Sequence, residues 1–300
     1  MRIGLAYNEK PDANSASDDY AEWDDPSTID AVEEALSLFG NVVRLEADEF
    51  LPQKLSLAHP EIVFNMAEGL HGPCRESHVP ALCEYLNIPY TGSDPLTLAL
   101  TLHKGRTKEI LAYRGVPTAP FRVIDSTADL ERLPLPYPLF VKPVAEGSGK
   151  GIFVNNLCGT PAQLAERVPF LLDRYSQPVI VETYLPGPEF TVAILGNDGD
   201  VRCLPIVGFD FATLPHGAPR CTATKPNGSG TRPSIRSRSS NARRPASPNR
   251  SAGRRSASRS MRIAPSGAAT GAASTFAWIA SACPMSSSST HCPASSPIPR

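Results

Sequence analysis

The last part of the chain is distinguished first by what it lacks. Residues 222–300 are 79 positions without a single Asp, Glu, Leu, Val or Tyr. Only 5 of these positions are Leu, Ile, Val or Phe, which is far below the ~20% level associated with disorder. Such a segment cannot bury enough apolar surface to offset the entropy of ordering it. We therefore predict a disordered tail, rich in Ser, Arg, Pro and Ala, over 222–300.

Other absences exclude several classes of protein. The seven cysteines form no C-x-x-C pair, so neither a zinc site nor a disulfide framework is predicted. No run of 18 apolar residues is present, which argues against a membrane span. The apolar start over 1–7 is too brief for a signal peptide. These absences predict a cytoplasmic protein that does not bind membranes.

Charge is divided very unevenly along the chain. The tail holds 12 Lys and Arg and no acid, so the 29 bases and 30 acids of the whole chain leave 17 bases against 30 acids before it. A front part of −13 joined to a tail of +12 is typical of a nucleic-acid-binding arm. Ser/Arg runs at 236–239 and 254–260 fit that interpretation, although Phe276 and Trp278 are the tail's only stacking groups.

Strands and helices alternate in the front part. Apolar runs predict strands over 2–7, 41–45 and 61–65, with a short strand over 88–90. Ser27, with Asp30 as a variant capping box, predicts the start of a helix that Gly40 ends, and a second helix is expected over 78–86. This alternation predicts a parallel α/β sheet in a first domain over 1–95.

A second unit is predicted after this domain. Asp94 and Pro95 begin a helix that runs to Arg114. The remaining predictions are strands over 121–124, 138–142, 152–155 and 179–182, a helix over 161–174, and antiparallel strands over 189–195 and 202–207. The predicted domains are therefore 1–95, 96–182, 183–221 and the tail.

A glycine loop carries the sharpest chemical signal. Lys142 lies on a predicted strand, and the segment Glu146, Gly147, Ser148, Gly149, Lys150 and Gly151 follows it. Backbone N–H groups of such a loop can contact phosphate oxygens because no Cβ blocks their approach, and Lys142 would add a positive charge. Gly151 after Lys150 excludes a Walker A loop. The alternative is a glycine hairpin beside a solvated lysine.

Two acids flank a Pro-Gly-Pro turn further along the chain. Glu182 ends a predicted strand, and Glu189 follows the turn. One carboxylate could accept a hydrogen bond from an adenine amino group and the other from ribose hydroxyls. Taken alone, two surface acids beside a turn are the simpler interpretation.

Together these segments resemble the D-alanine–D-alanine ligases of the ATP-grasp superfamily. The resemblance covers residues 60–210 and rests on an ordered series of motifs. These are Val63-Phe64-Asn65, His71-Gly72, Glu76, Pro89-Tyr90-Thr91-Gly92-Ser93, Lys104, Val141-Lys142-Pro143, Glu146-Gly147-Ser148 and Gly187-Pro188-Glu189-Phe190-Thr191-Val192.

The resemblance implies an ATP-grasp fold and an ATP-dependent ligase that joins amino acids through an acyl phosphate, with peptidoglycan biosynthesis as one setting. It implies that Lys104 and Lys142 hold ATP phosphates under the 146–151 loop. It further implies adenine contacts for Glu182, Tyr184 and Leu185 and a ribose contact for Glu189. Ser148 and His71 would act near the reacting groups. Small-molecule substrates and a homodimer also fit the family.

The chain departs from the family pattern in two places. The glycine-rich N-terminal motif with its substrate-binding glutamate is replaced by residues 20–25, and the segment 71–77 lacks the usual glycines before Glu76 and the usual Asp after it. The family also requires Mg²⁺, held by an Asp and a Glu-x-Asn motif, and has a Tyr-Glu-Ala-Lys segment. The last third of this chain contains none of these, so no metal ligand is predicted.

A shifted reading frame explains these losses. With codons permitted by the sequence and chosen at the wobble positions, a one-base slip converts residues 224–231 into Tyr-Glu-Ala-Lys-Trp-Leu-Trp-Asp. The same slip converts residues 285–299 into a segment containing Glu-Leu-Asn. We therefore hypothesise a frameshift near 219–221, which would leave the translated chain impaired. The competing hypothesis is a non-catalytic nucleotide-binding protein with a basic nucleic-acid-binding tail.

Overall fold

The structure is a computed structural model, and it describes residues 1–11, 18–197, 200–210 and 234–237. The prediction of a disordered tail therefore lies outside the described residues, except at 234–237. None of the helices in the described ranges is long and apolar enough to cross a membrane.

The first domain is built on a three-stranded parallel sheet of order β2-β1-β3. Its strands are β1 (Arg2–Tyr7), β2 (Asn41–Glu46) and β3 (Ile62–Asn65), and its helices are α1 (Pro26–Ser37), α2 (Leu51–Ala58) and α3 (His78–Tyr85). Ile29 of α1 packs against Leu5 on one face, and Leu55 of α2 packs with Val63 on the other. Apolar burial on both faces is the arrangement expected of a parallel sheet, and it confirms the predicted α/β class.

Two local predictions in this domain are wrong. Helix α1 begins at Pro26 after an extended Asp25, so Ser27 is not the N-cap and Asp30 forms no capping box. Proline at the first helical turn sets the helical φ without losing a needed N–H, which favours this earlier start. The expected strand over 88–90 is reduced to one parallel bridge between Val63 and Tyr90.

The single helix predicted from Asp94 to Arg114 is two helices, α4 (Pro95–Leu102) and α5 (Lys104–Tyr113). The break is at His103, whose backbone is extended with ψ of 93°. The His103 side chain then caps α5 by accepting a hydrogen bond from the backbone N–H of Arg106 at 3.2 Å. This break places Lys104 at the start of a helix, where its own backbone N–H donates to the Val144 carbonyl at 2.9 Å.

The second unit is an antiparallel sheet of order β4-β7-β5-β6. Its strands are β4 (Phe121–Ile124), β5 (Leu139–Pro143), β6 (Leu157–Cys158) and β7 (Val179–Thr183), and helix α6 spans Pro161–Tyr175. Val141 and Val181 pack against Leu164, Val168 and Leu171 of α6. The other face of the sheet carries the polar groups Lys142 and Glu182 beside the buried Phe140 and Ile180.

The strand predicted over 152–155 is wrong. Residues Val154–Asn156 form a 3₁₀ turn, and the short strand β6 follows it. The side-chain amide of Asn156 donates to the carbonyls of Val141 at 2.6 Å and Gly151 at 2.8 Å. A buried side chain therefore satisfies backbone acceptors that a longer strand pairing would have used.

Short strands end the described chain. They are β8 (Phe190–Thr191), β9 (Ile194–Leu195), β10 (Arg202–Cys203), β11 (Val207–Asp210) and β12 (Ser234–Ser237). The antiparallel pairing of β9 with β10 confirms the predicted hairpin. Strand β11 pairs with both β8 and β12, so Ser234–Ser237 departs from the absence of structure that we predicted for the tail.

Candidate functional site

A buried carboxylate between two lysines marks the polar face of the second sheet. The register places Glu182 opposite Phe140 and Lys142 opposite Ile180, so Glu182 and Lys142 are diagonal neighbours on one face. Lys142 Nζ lies 2.6 Å from one carboxylate oxygen of Glu182, and Lys108 Nζ of α5 lies 2.9 Å from the other. We call Glu182, Lys142 and Lys108 the Glu182 cluster.

The two lysines of the Glu182 cluster control the ionisation of its carboxylate. Burial opposes ionisation of Glu182, but the charges of Lys142 and Lys108 outweigh it and lower the pKa of Glu182 to about 2. Lys108 also donates to the Thr118 hydroxyl at 2.8 Å and to the Ala119 carbonyl at 3.3 Å. The carboxylate is therefore fixed and ionised at neutral pH, so both of its oxygens act only as acceptors of hydrogen bonds.

Lys104 lies at the start of α5, facing the glycine loop of residues 146–151. Its ammonium group donates to the backbone carbonyl of Glu146. Burial and the neighbouring charge of Lys142 lower the pKa of Lys104 to about 8. Two lysines close enough to repel each other form a site that an anion would stabilise.

The glycine loop turns sharply and relies on residues with positive φ. Ser148 has φ of 46°, and Gly149 and Gly151 have φ of 79° and 75°. A Cβ built at Gly151 would lie 2.5 Å from Pro143 Cγ, so glycine is required at that position. Ser148 is exposed at the turn, whereas Glu146 is buried at its base.

An arginine from the first domain reaches the base of this loop. Arg75 donates to both oxygens of Glu22, at 2.8 and 2.6 Å, to a Glu146 oxygen at 2.9 Å and to the Ala145 carbonyl at 3.0 Å. Glu22 in turn accepts a hydrogen bond from the backbone N–H of Gly147. We call Glu22, Arg75 and Glu146 the Arg75 cluster, and each member is 7% exposed.

The far end of the loop is also contacted by an acid. Asp18 accepts from the Gly151 N–H at 3.2 Å and from the hydroxyl of Tyr175 and the guanidinium of Arg174. Burial opposes ionisation of Asp18, but these hydrogen bonds lower its pKa. The segment containing Asp18 and Glu22 therefore lies along the glycine loop.

Two more acids lie near the Arg75 cluster. Burial, with the charges of Glu76 and Glu22, raises the pKa of Glu68 to about 8. Burial and the charge of Glu22 also raise the pKa of Glu76. This region disfavours further negative charge and would be stabilised by a cation.

The structure brings several predicted residues together. Lys104, Lys142, Glu146 and Lys150 all bond within the region just described, with Lys150 Nζ 3.2 Å from a Glu146 oxygen. Tyr184 continues from β7, where its N–H donates to the Pro138 carbonyl at 3.0 Å. The remaining predicted residues occupy less central positions: Leu185 and Glu189 are half-buried between β7 and β8, and His71 is exposed after β3.

Several residues of the site were missed from the sequence, among them Lys108, Arg75 and Glu22. Lys108 is four residues after Lys104, the spacing that places two side chains on one helix face. Its place in the site could therefore have been predicted from the sequence. Arg75 and Glu22 were noted only as departures from a pattern. They meet across 53 residues of sequence, and no local spacing predicts such a contact.

Mg²⁺, the metal that the resemblance implies, is bound by oxygen donors such as carboxylates. In residues 1–11, 18–197, 200–210 and 234–237 no group of three or more His, Cys, Asp or Glu side chains could hold a metal ion. The described donors therefore do not fit a protein-held Mg²⁺ site.

One cavity of the described structure lies away from this site. A cavity of about 510 Å³ lies in the first domain, lined by Leu51, Leu82 and Tyr85 among others. None of the lysines, acids or loop residues described above lines it. Its position beside α2 and α3 separates it from the charged groups.

Residues 110–209 match the family described as the C-terminus of D-ala D-ala ligase. An uncharacterised protein of Sinorhizobium fredii, y4sG, is 36% identical over 234 residues, which cover 74% of this chain and 64% of that protein. A D-alanine–D-alanine ligase of Bartonella henselae is 36% identical over 178 residues, covering 57% of this chain and 55% of the ligase. The chain thus spans about half to two thirds of the length of these relatives.

Solved structures agree on the fold. The D-alanine–D-alanine ligase of Bacillus anthracis matches with a TM-score of 0.54 at 22% identity, covering 70% of this chain and 64% of that one. The same enzyme complexed with ATP matches with a TM-score of 0.53. The fold is therefore that of the ATP-grasp D-alanine–D-alanine ligases, and residues 110–209 belong to the family described as the C-terminus of D-ala D-ala ligase.

Proposed function

We propose that this chain derives from an ATP-dependent ligase that joins two amino acids by a peptide-like bond. One observation carries the proposal: Lys104, Lys142 and Glu182 converge on the sheet face beside the glycine loop. The two lysines and the loop N–H groups are suited to bind phosphate oxygens. The fixed carboxylate beside them is suited to accept a hydrogen bond from the amino group of a nucleobase.

The nucleotide would lie along this face. Glu182, with the backbone around Tyr184 and Leu185, would contact adenine, and Glu189 would contact ribose. Lys104, Lys142 and the loop residues Gly147, Ser148, Gly149 and Lys150 would hold the phosphates. Lys104 suits this role because burial and the charge of Lys142 disfavour its ammonium form and lower its pKa, and a bound anion would offset that penalty.

The reaction would proceed in two steps. A carboxylate oxygen of the first amino acid attacks the γ-phosphorus of ATP, forming an acyl phosphate and releasing ADP. The amine of the second amino acid attacks the acyl carbon, forming the C–N bond and releasing phosphate and a proton. Ser148 and His71 would position the substrates. The acids Glu22, Glu68 and Glu76 favour an ammonium group nearby.

We further propose that the chain as translated is impaired by a frameshift near 219–221. The family match ends at residue 209, shortly before the composition changes. The Glu-x-Asn motif expected of the family is absent from the last third of the sequence, and it is obtained in the alternate frame when permitted codons are chosen at the wobble positions. Because the described donors do not fit Mg²⁺, no reaction step is assigned to a protein-held metal here.

The test compares two proteins: the chain as printed and a chain with the reading frame restored after residue 218. Phosphate release would be measured with ATP, Mg²⁺ and D-alanine, then with other amino acids. We expect turnover only in the restored chain, and its loss on Lys142→Ala. Equal turnover by both chains would refute the impairment, and turnover by neither with any amino acid would refute the ligase.

The basic tail supplies the competing function. Its excess of 12 positive charges would bind nucleic acid in a salt-dependent way. Binding of single-stranded RNA at low salt that disappears on deleting residues 238–300 would favour that function. We expect nucleotide binding at the proposed site to be independent of any nucleic-acid binding by the tail.

A further inference from the structure

We propose that Arg75 is a positioning residue that holds the glycine loop in its nucleotide-binding conformation. This inference rests on the proposed nucleotide site but not on turnover. Arg75 lies in the segment 71–77, which lacks the family's usual glycines, and the family's motifs do not account for it. Its contacts nevertheless converge on the loop.

The geometry makes Arg75 the link between three separate segments. It belongs to the 3₁₀ turn Arg75–Ser77 that follows β3. Through one guanidinium group it contacts Glu22, the Glu146 carboxylate and the Ala145 carbonyl, all within 3.0 Å. The first domain thus fixes the residue at which β5 passes into the loop.

Charge balance explains why this link matters. Glu22 and Glu146 are both buried, and Arg75 neutralises them together. Without Arg75, the remaining ion pair of Glu146 is with Lys150 at 3.2 Å, and a neutral contact comes from Gln177 at 2.7 Å. Two buried carboxylates left with so little compensation would move apart or take up protons.

Movement of either carboxylate would move the loop itself. Glu22 is bonded to the Gly147 N–H, and Lys104 is bonded to the Glu146 carbonyl. A shift at Glu146 therefore displaces both the N–H groups and the lysine that we assign to phosphates. The loop's positive-φ residues make alternative conformations accessible to it.

The opposite end of the loop does not depend on Arg75. Asn156 holds the Gly151 carbonyl at 2.8 Å, and Asp18 accepts from the Gly151 N–H at 3.2 Å. Loss of Arg75 should therefore release the loop near Gly147 and leave Gly151 in place. This asymmetry separates a positioning role from a general loss of stability.

The test uses Arg75→Met, Arg75→Lys and Arg75→Met/Glu22→Gln in the full chain. The matched control is Arg44→Met, because Arg44 also bonds two carboxylates, Asp30 and Glu33, but at an exposed position. Affinity for a fluorescent ATP analogue and hydrogen exchange of the nucleotide-free 146–151 segment would be measured, with urea unfolding as a check of folding.

We expect Arg75→Met to weaken analogue binding on the order of tenfold or more, as loss of one partner of a buried charge pair does. Exchange should rise at Gly147 and not at Gly151. Arg75→Lys should recover part of both effects because it restores the charge, and the double variant should bind more tightly than Arg75→Met because one uncompensated carboxylate is gone. Arg44→Met should stay within about twofold of the parent.

Unchanged exchange at Gly147 together with affinity within about twofold of the parent would overturn the inference.

If Arg75→Met fails to fold, Glu22→Gln supplies the same comparison, since it keeps Arg75 on Glu146 and should raise exchange at Gly147 more modestly. If the parent chain does not bind the analogue, the proposed nucleotide site fails, and the exchange pattern alone still decides the role of Arg75.

Discussion

The Glu182 cluster and the Arg75 cluster flank the same loop but are assembled in different ways. In the Glu182 cluster, Lys142 and Glu182 lie on neighbouring strands whose register makes them adjacent. In the Arg75 cluster, Glu22, Arg75 and Glu146 come from three distant segments. The first cluster has one acid between two bases, and the second has one base between two acids. Regular secondary structure therefore positions one cluster, whereas tertiary contacts alone position the other.

The largest effect is expected from Glu182→Gln. This change leaves Lys142 and Lys108 without their buried partner, which should lower the free energy of unfolding by about 3–5 kcal/mol. Urea denaturation would measure the loss, and analogue binding should disappear with it. Glu109→Gln is the matched control, since Glu109 pairs with Arg106 at an exposed position and should cost about 1 kcal/mol or less. Equal effects from both would show that the Glu182 cluster contributes no more than a surface pair.

A smaller loss is expected from Asn156→Ala, which tests the end of the loop that Arg75 does not hold. Asn156 is fully buried and bonds the Val141 and Gly151 carbonyls and Arg167. Leaving these groups unsatisfied should cost about 1–3 kcal/mol, measured by urea denaturation. The adjacent Asn155 is exposed, so Asn155→Ala should change stability by no more than about 0.5 kcal/mol. A reversed order would contradict the placement of the two amides.

The pH dependence of nucleotide binding should report on Lys104, which interacts with Lys142 of one cluster and with Glu22 and Glu146 of the other. The pKa of Lys104 is about 8 in the free protein, and bound phosphate should raise it. ATP affinity should therefore be highest below pH 8 and should decline as pH rises through that value, with proton uptake on binding. Titrations on both sides of pH 8 would show the decline, and Lys104→Arg should remove it. A flat profile in the parent chain would place Lys104 outside the site.

The smallest effect is expected from Ser148→Gly. Ser148 has φ of 46°, a conformation that glycine adopts without strain, so the change should be neutral or stabilising by up to about 1 kcal/mol. Ser148→Ala keeps the strain and removes only the hydroxyl. Comparing the analogue affinities of the two variants would separate the hydroxyl from the backbone conformation. Equal losses of affinity in both would assign the effect to the hydroxyl.

The predictable part of this molecule follows from local signals. Apolar periodicity was sufficient for the parallel sheet, and the order of motifs around Lys142 and Glu182 was sufficient for the family. The start of α1 at Pro26 and the break at His103 were missed because single residues decided them. In the first case proline geometry prevailed over a plausible Ser27 cap, and in the second an imidazole supplied an N-cap.

The Arg75 cluster could not be predicted for a different reason. Nothing near Glu22 in the sequence distinguishes it from the other acids of 18–25, and its partner lies 53 residues away. Arg75 lies in a segment that departs from the family pattern, and a departure alone does not identify the partner of a side chain. Conversely, the lack of acids in 222–300 was plain from composition, yet it says nothing about which contacts Ser234–Ser237 makes.

The most direct measurement is calorimetric titration of the full chain with ATP in the presence of Mg²⁺, repeated with Lys142→Ala. We predict saturable binding at one site by the parent chain and a loss of on the order of tenfold or more in the variant, since it removes the half-buried charge that we assign to the phosphates. No binding by the parent chain, or equal binding by both, would contradict a nucleotide site between the Glu182 cluster and the glycine loop.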